Sequence, residues 1–268
     1  MNEKLSADLK YLFSEGYNSV HVLADFDGTL TKEYVDGKKV PSIISVLRDM
    51  PGLLPQKYQE AARALYEKYM PMHRSQDLSL KEMKEKMLEW WEKHFQLLIE
   101  TGITKDHIRR VAESGIIQLR DGAADFLKRT RELGIPVVIM SAAGLGEAIP
   151  LFLKNIGINT ENIYFITNSF IWDGSGKAVD FHKPVIHSYN KDETVIRDFP
   201  DIYQKIHERK RVLLLGNNPG DLEMVTGFEA EKVLSIAFLD EEEVSKRLEE
   251  LAAGFDHVVV GGFEKIAI

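Results

Sequence analysis

The 268-residue chain contains no cysteine. Disulfides, thiol nucleophiles and thiolate metal sites are thereby excluded, and the composition suits a reducing compartment. The eight histidines include no His-x-x-x-His pair, so the usual helical zinc spacing is missing. No Gly-x-x-x-x-Gly-Lys-Ser/Thr loop occurs, which removes P-loop kinases and NTPases from consideration. No apolar run is long enough to span a membrane, and the first 20 residues are charged and amphipathic, so neither a leader peptide nor a membrane anchor is expected. Positive charge is short as well. The 34 Lys and Arg stand against 42 Asp and Glu, a net charge of −8, which argues against a nucleic-acid or acidic-membrane surface. Repeats and low-complexity segments are absent. What remains is a chain with 44% hydrophobic residues, enough for a sizeable core with a smaller insertion, expected to act in the cytoplasm.

The most informative stretch is Val22-Leu23-Ala24-Asp25-Phe26-Asp27-Gly28-Thr29. An apolar strand ends in two carboxylates one residue apart, and in extended chain those side chains point the same way. Like charges held so close need a cation between them or a shared proton. Read alone, the pair is either an Asp-rich turn ending a strand or a site for a hard divalent ion with oxygen ligands, since Mg²⁺ binds through one or two carboxylates plus substrate phosphate.

Further strand ends carry polar chemistry. Ile135–Met140 is apolar and ends in Ser141-Ala142-Ala143-Gly144, where a hydroxyl and small residues admit a phosphate oxygen. Arg211–Leu215 ends in Gly216-Asn217-Asn218-Pro219-Gly220-Asp221, and Lys191 lies in between, after an expected hairpin around Gly174-Ser175-Gly176. Read singly, Ser141 is a helix cap, Lys191 a surface charge and the Gly-Asn-Asn-Pro-Gly-Asp run an ordinary loop. Together they gather at the carboxyl ends of parallel strands, where open α/β sheets bind ligands.

Residues 41–102 differ from the rest. No buried strand appears there, and a capping box at Ser79–Glu82 opens a helix with an apolar stripe of Leu80, Met83, Met87, Trp91, Phe95 and Leu98. Gln56–Met70 reads as another helix. On this stripe Trp91 is expected in the core, and Trp90 facing another element or a ligand. The expected fold is α/β, a doubly wound parallel sheet built from residues 1–40 and 103–268, with residues 41–102 inserted as a helical cap. The charged run Asp240–Glu250 reads as a solvated helix face.

The order Asp-x-Asp-x-Thr, Ser, Lys and acidic loop resembles the haloacid dehalogenase superfamily, with its Rossmann-like core. Glu67-Lys68-Tyr69-Met70-Pro71, Glu89-Trp90-Trp91, Ile186-His187-Ser188-Tyr189-Asn190-Lys191 and the Gly216–Leu222 loop are similar to the cytosolic pyrimidine 5′-nucleotidase (type III nucleotidase) family. The resemblance implies a phosphomonoesterase acting on a nucleoside 5′-monophosphate or similar small phosphate through an aspartyl-phosphate. Asp25 is then the nucleophile and Asp27 the general acid–base. Ser141, Ala142 and Lys191 hold the phosphate, and Asp25, Asp27, Asn217 and Asp221 hold Mg²⁺. No protein partner is inferable.

Two departures from the family pattern bear on this reading. Asn217 stands where the metal loop usually has Asp, so one negative charge is lost and weaker Mg²⁺ binding is expected. In the cap, His73 and His94 occupy the positions that contact the base, and an imidazole cannot accept two hydrogen bonds from a cytosine edge as a carboxylate does. A phosphatase or phosphotransferase for a sugar or amino-acid phosphate therefore remains an alternative, as does a catalytically weak regulatory homologue, which rests on Asn217 alone.

Overall fold

The computed structural model describes residues 3–73, 78–191, 196–227, 229–266 and 268, with His73 by its backbone only. The chain begins with α1 (Glu3–Leu12), β1 (Val20–Ala24) and a hairpin of β2 (Tyr34–Val35) and β3 (Lys38–Lys39). Three helices follow, α2 (Ile43–Asp49), α3 (Gln56–His73) and α4 (Leu80–Thr101), then α5 (Lys105–Ala112) and α6 (Ala123–Glu132). Next come β4 (Val137–Ser141), α7 (Ala148–Asn155), β5 (Ile163–Thr167) and a second hairpin, β6 (Phe170–Trp172) with β7 (Ala178–Phe181). The remaining elements are α8 (Pro200–Ile206), β8 (Arg211–Gly216), β9 (Lys232–Leu239), α9 (Val244–Gly254) and β10 (His257–Val260).

Six of these strands form one sheet in the order β10-β9-β8-β1-β4-β5, every neighbouring pair parallel. The chain starts in the middle, builds outward through β4 and β5, then returns to the other side of β1. That reversal opens a crevice at the carboxyl end of β1, the switch point at which such sheets bind ligands. Alternate residues of each strand serve opposite faces. Val20, Val22 and Ala24 of β1 join the cluster holding α1 and α5–α7, whereas Leu23 joins Ile202 and Ile206 of α8 on the other face. Because helices cover both faces, β1, β4 and β8 are buried along their whole length, which explains their unbroken apolar runs.

The helical insertion is as expected in kind. Ser79 caps α4, accepting from the Glu82 N–H while the Glu82 carboxylate accepts from the Ser79 N–H, and the helix ends at Gly102. The apolar stripe is less complete than its spacing predicts: Met87, Phe95 and Leu98 are buried, but Leu80 is exposed. Helices α3 and α4 pack together, Tyr58 meeting His94 and Tyr69 meeting Trp90. The main apolar core runs on from the sheet through α2 to Leu53, Leu54, Tyr58, Phe95 and Leu98. The β2–β3 hairpin adds to the elements that the apolar patterns predict. Its signal is Asp36-Gly37, with φ of 51° and 70°, the pair of positive values a two-residue hairpin turn requires. No helix among the described residues is long and apolar enough to cross a membrane.

Candidate active site

Register brings the motif residues together. Ala24 lies beside Ile139 of β4 and Leu215 of β8, so the ends of these three strands stand side by side. Asp25 is the first residue past β1. Its N–H still donates to the Leu215 carbonyl at 3.0 Å, which fixes the backbone while the carboxylate leaves the sheet. The chain then turns at Gly28, whose φ of +79° few side-chain-bearing residues adopt. The Gly28 N–H donates to Thr31 Oγ1 at 3.0 Å, and the Thr29 hydroxyl donates to Asp25 Oδ2 at 3.3 Å.

Lys191 closes the constellation. Its ammonium donates to Asp25 Oδ1 at 2.5 Å and to Asp221 Oδ1 at 3.0 Å, and all three side chains are buried. The other Asp221 oxygen accepts from the N–H groups of Asn217 and Asn218, both at 3.0 Å. Asp221 thus fastens the lysine and the loop together. Ser141, also buried, accepts the Ala143 N–H at 3.1 Å.

The electrostatics follow from burial. Burial pushes the Asp25 carboxyl up to about 6, with Lys191 opposing the rise and Asp221 adding to it. Burial and the Asp25 charge push Asp27 up to about 7, against the Ile43 backbone N–H, which draws it down. Burial alone would lower the Lys191 ammonium, but Asp221 and Asp25 outweigh it and hold it above the ordinary lysine range. A carboxyl that keeps its proton near neutrality is suited to general-acid work.

Asp25, Asp27, Ser141, Ala142, Lys191, Asn217 and Asp221 all line one cavity of about 440 Å³, with Ser42, Ile44, Trp91, Tyr189 and Glu250 on its other walls. A neighbouring cavity, also about 440 Å³, shares Asp27, Ser42 and Asn217 and extends beneath the hairpin towards Arg48 and Tyr66. An open groove of about 540 Å³ at Pro51, Gln56 and Arg63 holds no comparable cluster.

The cap residues depart from expectation. His94 is not on the cavity wall; it is buried, shares a 2.9 Å hydrogen bond with the Tyr58 hydroxyl and stacks on Trp91. Its burial pushes the imidazole down to about 4, so it is a neutral packing residue. The His73 side chain lies outside the described residues. The two tryptophans sit where spacing predicts, Trp91 packed against the main core and Trp90 against α3, but the core residue also reaches the cavity. Trp91 lines the active cavity, whereas Trp90 is stacked between Tyr69 and Trp91 with its indole N–H buried. Helical periodicity marks an inward stripe but does not say which neighbour stops short of it. The charged run is also more structural than expected, since Asp240 and Glu243 are buried.

The donor set suits a hard cation. The candidate ligands are all oxygens: the Asp25 carboxylate, the Asp27 carbonyl and the Asn217 amide. Asn217 sits close by, its Nδ2 within 2.2 Å of where a Cβ on Gly28 would stand. No group of three or more His, Asp or Glu side chains clusters as a metal site among the described residues.

The family model for pyrimidine 5′-nucleotidase (UMPH-1) matches residues 28–263. The chain is 29% identical to the 7-methylguanosine phosphate-specific 5′-nucleotidase of Drosophila melanogaster, over 91% of its own length and 76% of that protein. Identity to the human protein of that name is also 29%, over 91% of this chain and 80% of the relative. Among solved structures, cytosolic 5′-nucleotidase IIIB bound to cytidine superposes with a TM-score of 0.83 at 26% identity, covering 98% of this chain and 87% of that one. A phospho-aspartyl intermediate analogue of phosphoserine phosphatase shares the fold, with a TM-score of 0.53 at 18% identity over 92% of this chain and 96% of that one.

Proposed function

Because the chain belongs to the pyrimidine 5′-nucleotidase (UMPH-1) family of haloacid dehalogenase-type phosphatases, we propose that it hydrolyses a nucleoside 5′-monophosphate through an aspartyl-phosphate with Mg²⁺ bound. The observation that carries this reading is the Asp25–Lys191–Asp221 chain at the switch point, with Asp27 beside it on the same cavity wall.

A phosphate monoester repels nucleophiles through its own charge, so catalysis rests on neutralisation and in-line positioning. Lys191 neutralises a phosphate oxygen and keeps Asp25 ionised. The Ser141 hydroxyl and the Ala142 N–H hold a second non-bridging oxygen. Asp25 attacks phosphorus, the bond to the ester oxygen breaks, and Asp27 gives that oxygen its proton. Asp27, now a carboxylate, takes a proton from water as that water attacks the aspartyl-phosphate, and phosphate leaves with Asp25 restored. Mg²⁺, when bound by the Asp25 carboxylate, the Asp27 carbonyl and Asn217, supplies further charge neutralisation on the transferring group.

Residues 41–102 act as the cap. Trp91 forms a cavity wall and stands so close to Gly144 that an added Cβ there would lie 2.7 Å from its ring, which favours a planar leaving group and exclusion of water. Relatives named for 7-methylguanosine phosphate and a neighbour bound to cytidine support a mononucleotide substrate. A relative named cytosolic 5′-nucleotidase 3 supports action in the cytoplasm.

The test is phosphate release from pyrimidine, guanosine and 7-methylguanosine 5′-monophosphates, sugar phosphates and phosphoserine, with Mg²⁺ and with EDTA. EDTA-sensitive turnover preferring a nucleotide is expected. Preference for a sugar or amino-acid phosphate would reassign the substrate, and no release from any compound would overturn the reading.

A further inference from the structure

Behind the turn that carries Asp27 lies a buried ion pair that the reaction scheme does not use. Arg120 is only 3% exposed, in the segment between α5 and α6. Its Nη2 donates to the Gly28 carbonyl at 2.7 Å and its Nε to the Thr29 carbonyl at 3.2 Å. Its Nη1 donates to the Gly261 carbonyl at 2.9 Å and to Asp240 Oδ1. The guanidinium lies over the Phe238 ring, 5.6 Å from its centre. The backbone adds to the grip, for the Arg120 N–H donates to the Leu30 carbonyl and the Lys32 N–H to the Gln118 carbonyl, both at 2.9 Å. The free oxygen of Asp240 accepts the N–H groups of Glu33 at 2.8 Å and Tyr34 at 2.9 Å.

We propose that Arg120, locked by Asp240, is the positioning residue that aims Asp27, by holding the carbonyls of the two residues that follow it. The inference rests on the general-acid role given to Asp27 above. A buried ion pair is a poor device for stability alone, since apolar residues of similar volume often serve as well or better. This pair instead places its donors on the turn next to the acid, and its partner on the root of the hairpin that roofs the adjoining cavity. Only a planar fork reaches these separate acceptors at once, so lysine is not an equivalent residue.

Leaving-group chemistry provides the test. A nucleoside 5′-monophosphate expels an alkoxide and needs the acid, whereas 4-nitrophenyl phosphate expels a stable phenolate and hardly does. The ratio kcat/KM reports the chemistry up to loss of the leaving group. For Arg120→Lys it is expected to fall by about 10- to 100-fold with the nucleotide and by less than about threefold with 4-nitrophenyl phosphate, through kcat with KM little changed. Asp240→Asn is expected to show the same inequality to a smaller degree, and carries the test if Arg120→Lys does not fold. Equal losses on both substrates, or no loss, would overturn the proposal while leaving the phosphatase reading intact. Absence of turnover by the wild-type chain would instead strike the function proposed above.

Discussion

The Lys191 ammonium donates to Asp25 Oδ1 at 2.5 Å, with both side chains almost wholly removed from water. Asp221 holds the lysine from the other side at 3.0 Å. Replacing Lys191 by Met would leave two buried carboxylates without a counter-charge. Breaking such a pair costs about 3–5 kcal/mol, and losing one preorganised donor at the phosphate lowers kcat by about 10²–10³. Thermal denaturation with steady-state kinetics checks both, and near-wild-type turnover would remove Lys191 from the phosphate site.

Asn217 is the position at which chemistry can be added. Asn217→Asp places a carboxylate beside Asp25 and Asp27, and about tenfold tighter Mg²⁺ binding is expected by calorimetry. Unchanged affinity would show that this side chain is not a ligand.

Gly28 has two reasons to lack a side chain. Its φ is +79°, and a Cβ would lie 2.2 Å from Asn217 Nδ2. Gly28→Ala is expected to cost about 1–2 kcal/mol from the backbone strain alone. It should also push Asn217 aside, so that Mg²⁺ affinity falls together with kcat. A loss of stability with unchanged Mg²⁺ affinity would separate the turn from the metal site.

Two histidines make the fold acid-sensitive. Burial pushes His21 and His94 each down to about 4, below the value near 6.5 of an exposed imidazole. Between those values the unfolded chain binds protons that the folded chain does not. The stabilisation is therefore complete above about pH 6.5 and is lost as pH falls towards 4. At pH 5 each ring accounts for a loss on the order of 2 kcal/mol. His94→Gln, which keeps a partner for the Tyr58 hydroxyl, should remove about one proton from the pH slope of urea-unfolding free energies between pH 5 and 6.5. An identical slope would assign the acid sensitivity elsewhere.

Much of the architecture is written locally. Strands β1, β4 and β8 are unbroken apolar runs because both faces are covered, and each ends at a residue type that cannot continue a buried strand without a ligand or partner. That alone put Asp25, Ser141 and Asn217 at neighbouring strand ends. Ser79 and Glu82 announced α4 through a bond pair between residues three apart. Asp36-Gly37 marks the β2–β3 hairpin just as locally, although its strands are only two residues long.

Other features depend on which elements meet, and no local pattern records that. His94 and Trp91 sit on one helix face, yet the packing of α3 hides the first behind Tyr58 and leaves the second on the cavity wall. The loop after β8 folds the Asp221 carboxylate back onto its own backbone and onto Lys191, 30 residues away. Arg120 and Asp240 are separated by 120 positions and share one buried bond. The sequence by itself determined the strands, the caps and the reactive groups, because backbone stereochemistry and side-chain alternation act over a few residues. Only the tertiary structure decided which charges neutralise one another and which side chains face the substrate, because those depend on burial and on contacts between distant segments.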